Sequence, residues 1–149
     1  MQKNGFLYAF GKLVAAGAVI SALMMTGPAQ ADDSLYRDLG ERTGIAKIVE
    51  ATTANFLSDE RVRHTFDDTN IDRFKALFTD QLCVVAGGPC QYKGRDMRTA
   101  HKGLHLTNRD FNAVVEDLQT GMDSCGIPFR TQNRLLARLA PMQREVVTR

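Results

Sequence analysis

The sequence predicts an all-α protein, and three observations carry that expectation. Apolar residues recur at helical spacing in four stretches, a threonine with an aspartate three residues on opens two of them, and glycine–proline clusters close two. No run alternates apolar and polar residues as a half-buried strand would. The chain has 149 residues, 24% charged and 44% hydrophobic, with twelve Gly, four Pro and no Trp. That length suits one domain, and so little Gly and Pro excludes a disordered or collagen-like chain.

The chain opens with Lys3 and Lys12, an apolar run from Leu13 to Thr26, then Pro28 and Ala29-Gln30-Ala31. This order predicts a secretory signal peptide over residues 1–31, with small residues at the cleavage site. The apolar run has 14 residues. A bilayer span needs roughly 20, so no stable membrane anchor is expected after cleavage. Removal of 1–31 leaves 118 residues with 17 basic and 17 acidic side chains. A neutral chain has no bulk attraction for nucleic acid or anionic lipid. The expected compartment is the periplasm or the exterior, where cysteines oxidise.

Ile45, Ile48, Val49 and Phe56 predict a first helix near 44–57. Phe74, Leu77, Phe78, Leu82 and Val85 predict a second near 70–86, opened by Thr69 with Asp72 and stopped by Gly87-Gly88-Pro89. Phe111, Val114, Val115, Leu118 and Met122 predict a third over 108–124, opened by Thr107 with Asp110 and stopped by Gly126 and Pro128. At both starts the threonine oxygen can accept from free amides of the first turn, while the carboxylate favours the positive helix end. Leu135, Leu136, Leu139, Met142 and Val146 predict a looser helix over 131–147, which Pro141 bends or interrupts. Between Gly88 and Thr107 no clean period appears, yet the segment carries Tyr92, Met97, His101 and His105. A short helix containing His101 is expected there. An irregular segment between two strong helices points towards a ligand.

Candidate chemistry narrows quickly. Cys83, Cys90 and Cys125 form neither CxxC nor CxxCH, which removes thioredoxin-type redox chemistry and covalent c-type haem attachment. If a disulfide forms, Cys83–Cys90 is the nearest pairing, because the short turn between them carries two glycines; Cys125 is then free. Cys83, on the tail of a helix, reads as structural rather than nucleophilic. His101 and His105 stand at i, i+4, but a metal site needs a third ligand, HExxH is absent, and Gly103 weakens the helix such a pair requires. GxSxG, a P-loop and GxGxxG are all missing. The acidic residues read as scattered along solvent faces, and His64 as a solvated helix residue. Phe66, Phe74 and Phe78 fall within thirteen residues. An aromatic-lined slot opposite a histidine segment is what a small helical haem pocket would present.

Ser34-Leu35-Tyr36, Leu39-Gly40, Phe66 and the run GGPxxYxGxxMxxxH from Gly87 to His101, followed by Leu106, resemble the group 1 truncated haemoglobins. The resemblance covers residues 34–149. It implies a two-over-two helical sandwich binding haem b (iron protoporphyrin IX), with His101 as the proximal iron ligand. It also implies that Phe66 lies flat on the haem, that Thr69, Arg73 and Tyr92 stand near the propionates, and that Met97, Leu106 and Phe111 form the proximal wall. Gly40, Gly87, Gly88 and Gly94 match the glycines that let so short a chain wrap the cofactor. On the distal side the sequence departs from many relatives. Thr53, with Thr52 beside it, stands where many place a tyrosine, and Phe74 and Phe78 stand where many have a glutamine or histidine in the set; Gln81 lies a turn further on. The implied activity is binding of O₂, NO or CO. NO dioxygenation or peroxide turnover, haem storage and electron transfer through an unidentified redox partner remain as alternatives.

Overall fold

The computed structural model describes residues 33–148, and every regular element among them is helical. In chain order these are α1 (Ser34–Asp38), α2 (Glu41–Ser58), a 3₁₀ turn (Arg63–Phe66), α3 (Ile71–Val85), α4 (Met97–Ala100), α5 (Asn108–Ser124), α6 (Phe129–Leu139), a second 3₁₀ turn (Ala140–Met142) and α7 (Gln143–Val146). The long helix α2 packs on both α5 and α3, while α6 closes against α1, α3 and α5. Leu35, Leu39, Ile45, Ile48, Val49, Leu82, Leu118, Met122 and Leu135 share one buried cluster. These are the apolar stripes of the helices turned inward, and their burial is the main favourable term in folding. At the crossing of α2 and α5, a Cβ on Gly121 would stand 3.0 Å from the Thr52 nitrogen and 3.1 Å from its Cα. Such a Cβ would also overlap the Thr52 hydroxyl oxygen, so Gly121 leaves the space that the Thr52 side chain fills.

The helix ends follow local chemistry. Thr107 accepts from the Asp110 amide, and the Asp110 carboxylate takes the Thr107 N–H at 2.9 Å, a complete capping box. α3 ends with Gly87 at φ +87°, the Gly87 N–H bonding Val84 and the Gly88 N–H bonding Cys83. α5 repeats this pair of bonds at Gly126 and Ile127, with Gly126 at φ +70°. Both ends use a left-handed residue to satisfy carbonyls the helix leaves over, a conformation that suits glycine.

Four expectations are corrected. Thr69 does not cap α3: its N–H bonds Phe66 in the preceding turn, and Asn70 accepts the Arg73 N–H at 2.9 Å instead. His101 lies outside the short helix before it, forming the C-cap of α4. The last predicted helix starts earlier than residue 131, at Phe129, while its expected interruption at Pro141 is present, as a 3₁₀ turn between α6 and α7. His64 belongs to a 3₁₀ turn, not an α-helix. In addition α1, too short to show periodicity, places Leu35 and Leu39 in the core. The proposed signal segment lies outside the described residues, within which no helix is long and apolar enough to cross a membrane.

Candidate functional site

His101 is the residue whose local geometry is most specific. Its backbone N–H bonds the Met97 carbonyl at 3.1 Å, and its Nδ1 lies 2.7 Å from the same oxygen. A carbonyl only accepts, so Nδ1 is the donor, and in the neutral ring this tautomer leaves the lone pair on Nε2. This is the tautomer and ring fixation a metal-binding imidazole uses. The short α4 creates it: Asp96 accepts the Thr99 N–H at 2.9 Å and starts a single turn that ends at His101. His105 stands beyond that turn with φ +53°, so the two histidines do not share a helical face.

Phe66, Phe74 and Phe78 come together, joined by Phe56 of α2. Phe66 stacks on Phe56 with centroids 5.5 Å apart and 14° between planes; Phe74 meets Phe66 edge-on at 5.2 Å and stacks with Phe78 at 5.5 Å. Phe56 is buried, whereas the other three rings are half-buried. Offset and edge-on ring pairs add stability beyond the area they bury. Gln81 links α3 to the histidine segment, its amide reaching the Met97 sulfur at 3.0 Å and the Met142 sulfur at 3.7 Å. Leu106 is buried and Phe111 half-buried at the start of α5.

The residues expected near carboxylates are more dispersed. Tyr92 donates to the Arg95 carbonyl at 2.8 Å, folded over Gly94, and burial pushes its phenol above the ordinary value. Thr69 is half-buried and Arg73 exposed in the first turn of α3. Phe66 and Thr69 line an open hollow of about 550 Å³ with Arg63 and His64.

Two distal expectations become concrete. The Thr53 hydroxyl is buried and donates to the Val49 carbonyl at 2.7 Å, within its own helix. Gln81 is engaged by the two methionine sulfurs. Neither offers an uncommitted donor. Sequence reasoning also missed Asp117, taken with the other acids as solvent-facing but only 9% exposed. Its Oδ2 has no hydrogen-bond partner among the described residues. Burial chiefly, then the charges of Asp59 and Glu116, push its carboxyl up against the pull of Arg61. The signal was available in principle, since Asp117 lies three residues after Val114 and beside Leu118 of the apolar stripe.

The donor set fits a haem. Among the described residues no three His, Cys, Asp or Glu side chains converge on a possible metal position. A haem would bring the in-plane nitrogen ligands of its iron with it, so it asks of the chain one imidazole and an apolar surround. The half-buried aromatic cluster would offer apolar surface to such a group, and Nε2 of His101 would offer it a nitrogen ligand.

Comparison with known proteins agrees. The bacterial-like globin family model matches residues 34–148. A group 1 truncated hemoglobin of Tetrahymena pyriformis is 36% identical over 94 residues, covering 63% of this chain and 78% of that one. One from Synechocystis sp. is 34% identical over 99 residues, covering 64% and 80%. Among solved structures, the Fe(III) form of the Tetrahymena pyriformis truncated hemoglobin superposes with TM-score 0.75 at 30% identity, over 77% of this chain and 98% of that one. The 2/2 hemoglobin of a Synechococcus species, solved with covalently attached heme, gives TM-score 0.72 at 26% identity over the same shares. With a two-over-two helical architecture and a family match that spans nearly all described residues, the chain belongs to the bacterial-like globins, among the group 1 truncated haemoglobins.

Proposed function

We propose that this chain binds haem b through His101 and, by means of it, a diatomic gas (O₂, NO or CO), with weaker retention of O₂ than in relatives that carry a distal tyrosine. The observation that supports the iron ligand is the Nδ1–Met97 carbonyl bond, which leaves Nε2 as the only metal-binding atom of the ring. When bound, the haem supplies an iron with one coordination position open to O₂, NO or CO. Phe66, Phe74, Phe78, Met97, Leu106 and Phe111 supply the apolar surround that excludes water, and Thr69, Arg73 and Tyr92 the polar groups for the propionates.

The gas preference rests on the chain's own donors. O₂ gains from a hydrogen bond worth about 1–3 kcal/mol in a dry site, whereas CO and NO depend on it far less. Thr53 spends its hydroxyl on Val49 and Gln81 its amide on Met97 and Met142. Phe74 and Phe78 have no donor to give. The protein acts in the periplasm or outside the cell, a reading supported by the Cys83–Cys90 bridge, since disulfides persist in oxidising compartments.

Absorption spectra of haem-loaded wild type and His101→Ala test the ligand. A shifted, weakened Soret band and weaker haem retention in the variant are expected; an unchanged spectrum and unchanged retention refute the assignment. For the gas preference, O₂ dissociation should be fast and insensitive to Thr53→Val and Gln81→Leu. Slow dissociation that accelerates sharply in either variant would show a strong distal donor and overturn the preference.

A further inference from the structure

Cys83 and Cys90 are joined, with Cα atoms 5.9 Å apart, across the turn that ends α3. Three features around this bridge differ between its two sulfurs. Cys83 is wholly buried, whereas Cys90 is half-buried. The Arg42 guanidinium donates to Cys90 Sγ at 3.3 Å while holding Asp80 at 2.7 Å. Gly87, Gly88 and Pro89 line an open hollow of about 520 Å³ with Tyr36, Arg37 and Glu41, so the turn is reachable from solvent. A Cβ on Gly88 would stand 2.6 Å from Cys83 Sγ, which shows how closely the turn covers the inner sulfur.

We propose that Cys83–Cys90 is a thiol-exchangeable clamp on the His101 segment, with Cys90 the exchanging sulfur and Arg42 the group that activates it. In the closing direction the Cys90 thiolate, stabilised by the guanidinium, attacks one sulfur of a small-molecule disulfide such as glutathione disulfide. One glutathione thiolate leaves and a mixed disulfide forms at Cys90. Cys83 then releases its proton to solvent and attacks the Cys90 sulfur, expelling the second glutathione thiolate. The two cysteines lose two electrons and two protons, and the oxidant becomes two thiols. In the opening direction a dithiol must strike Cys90, because Cys83 is covered. The expelled sulfur is then Cys83, buried at the C-terminal end of a 15-residue helix, where negative charge is disfavoured. A poor leaving group opens slowly. The clamp, once closed, resists reduction.

Its mechanical effect falls on His101. Residues 86–96, eleven in all, connect α3 to α4; with Cys90 fixed, only the six residues 91–96 remain as a free tether. Shortening a tether by this ratio raises its closure probability roughly two- to threefold. Opening the clamp should therefore speed haem loss by the same factor.

The haem-release measurement rests on the proposed role of His101, whereas two thiol measurements do not, so the failures are separable. In the reduced full-length protein, brief iodoacetamide treatment followed by peptide mass spectrometry should label Cys90 ahead of Cys83. Closure by glutathione disulfide should have a pH midpoint that moves up in Arg42→Met and returns in Arg42→Lys, with Asp80, the other charged group on that guanidinium, unchanged. A structural loss alone would slow closure equally at every pH. Transfer of haem to an apoglobin scavenger should run two- to threefold faster from Cys90→Ser than from oxidised wild type. Equal labelling of the two cysteines, a midpoint indifferent to Arg42, or equal haem transfer would each overturn the clamp.

Discussion

Asp117 and Thr53 show how one atom's partner decides what a residue does. Both are buried polar residues on facing parts of the molecule, but the Thr53 hydroxyl finds a carbonyl one turn back while Asp117 Oδ2 finds nothing. The neighbouring Asn55 amide bonds the Asp117 backbone carbonyl at 3.0 Å and so leaves the carboxylate unaided. Arg61, which could neutralise it, is divided between Asp59 at 2.7 Å and Glu116 at 2.6 Å. A carboxyl whose folded-state pKa is raised binds its proton more tightly in the native state, so its contribution is most favourable at low pH and is lost as pH rises through the folded value. Asp117→Asn should therefore raise the urea midpoint at pH 7 relative to wild type, with the gap closing as pH falls below the carboxylate range. A variant that is less stable at pH 7 would show that the ionised carboxylate has a partner after all. The sequence could not disclose this residue's surroundings, because they are built by the segment after α2, some sixty positions away.

Helix boundaries were legible where the responsible chemistry is local. The third predicted helix, 108–124, coincides with α5, because Thr107 and Asp110 fix one end and Gly126 the other within a few residues. Thr107→Ala removes the cap and should cost about 1 kcal/mol. The bonds from Thr107 also hold the Asp110 carboxyl below its ordinary value. That stabilisation is present above the unfolded carboxylate pKa and lost as pH falls through the folded one. Urea titrations of wild type and variant should thus differ at pH 7, and the gap should narrow in strong acid without closing, because the hydroxyl still accepts the Asp110 N–H there. α3 was displaced by one residue, since Thr69 and Asn70 are both competent caps and the preceding 3₁₀ turn chooses between them by taking the Thr69 N–H. The C-terminal helix was expected to be bent or interrupted at Pro141, and it is interrupted, because proline cannot supply the amide an α-helix needs there.

At the scale of the whole molecule, burial divides the described residues in two. Leu35, Leu39, Ile45, Ile48, Val49, Leu82, Met122 and Leu135 are all at most 1% exposed, whereas Phe66, Phe74, Phe78, Met97, Phe111 and Met142 are half-buried. Apart from Leu35 and Leu39, which belong to a segment too short to show a period, the aliphatic core was legible from periodicity alone. The half-buried set was legible only in part, since a stripe of phenylalanines has the same spacing whether it meets another helix or a cofactor. A ligand that binds the native state and not the unfolded chain stabilises it by mass action, about 2.7 kcal/mol when free ligand stands at 100 times Kd. Hemin added to the apoprotein should accordingly raise the thermal midpoint, and the increment should keep growing with free hemin. His101→Ala should lose part of that increment, because the axial bond goes while apolar contacts stay. Phe78→Ser should lose part of it for the opposite reason, keeping the imidazole but replacing an apolar wall with a hydroxyl. If both variants gain as much as wild type, hemin is binding elsewhere on the surface and the half-buried aromatics do not form its pocket. If wild type gains and each variant gains less, the imidazole and the aromatic surface act on one bound molecule, which is the property that joins the His101 segment to α3 as a single site.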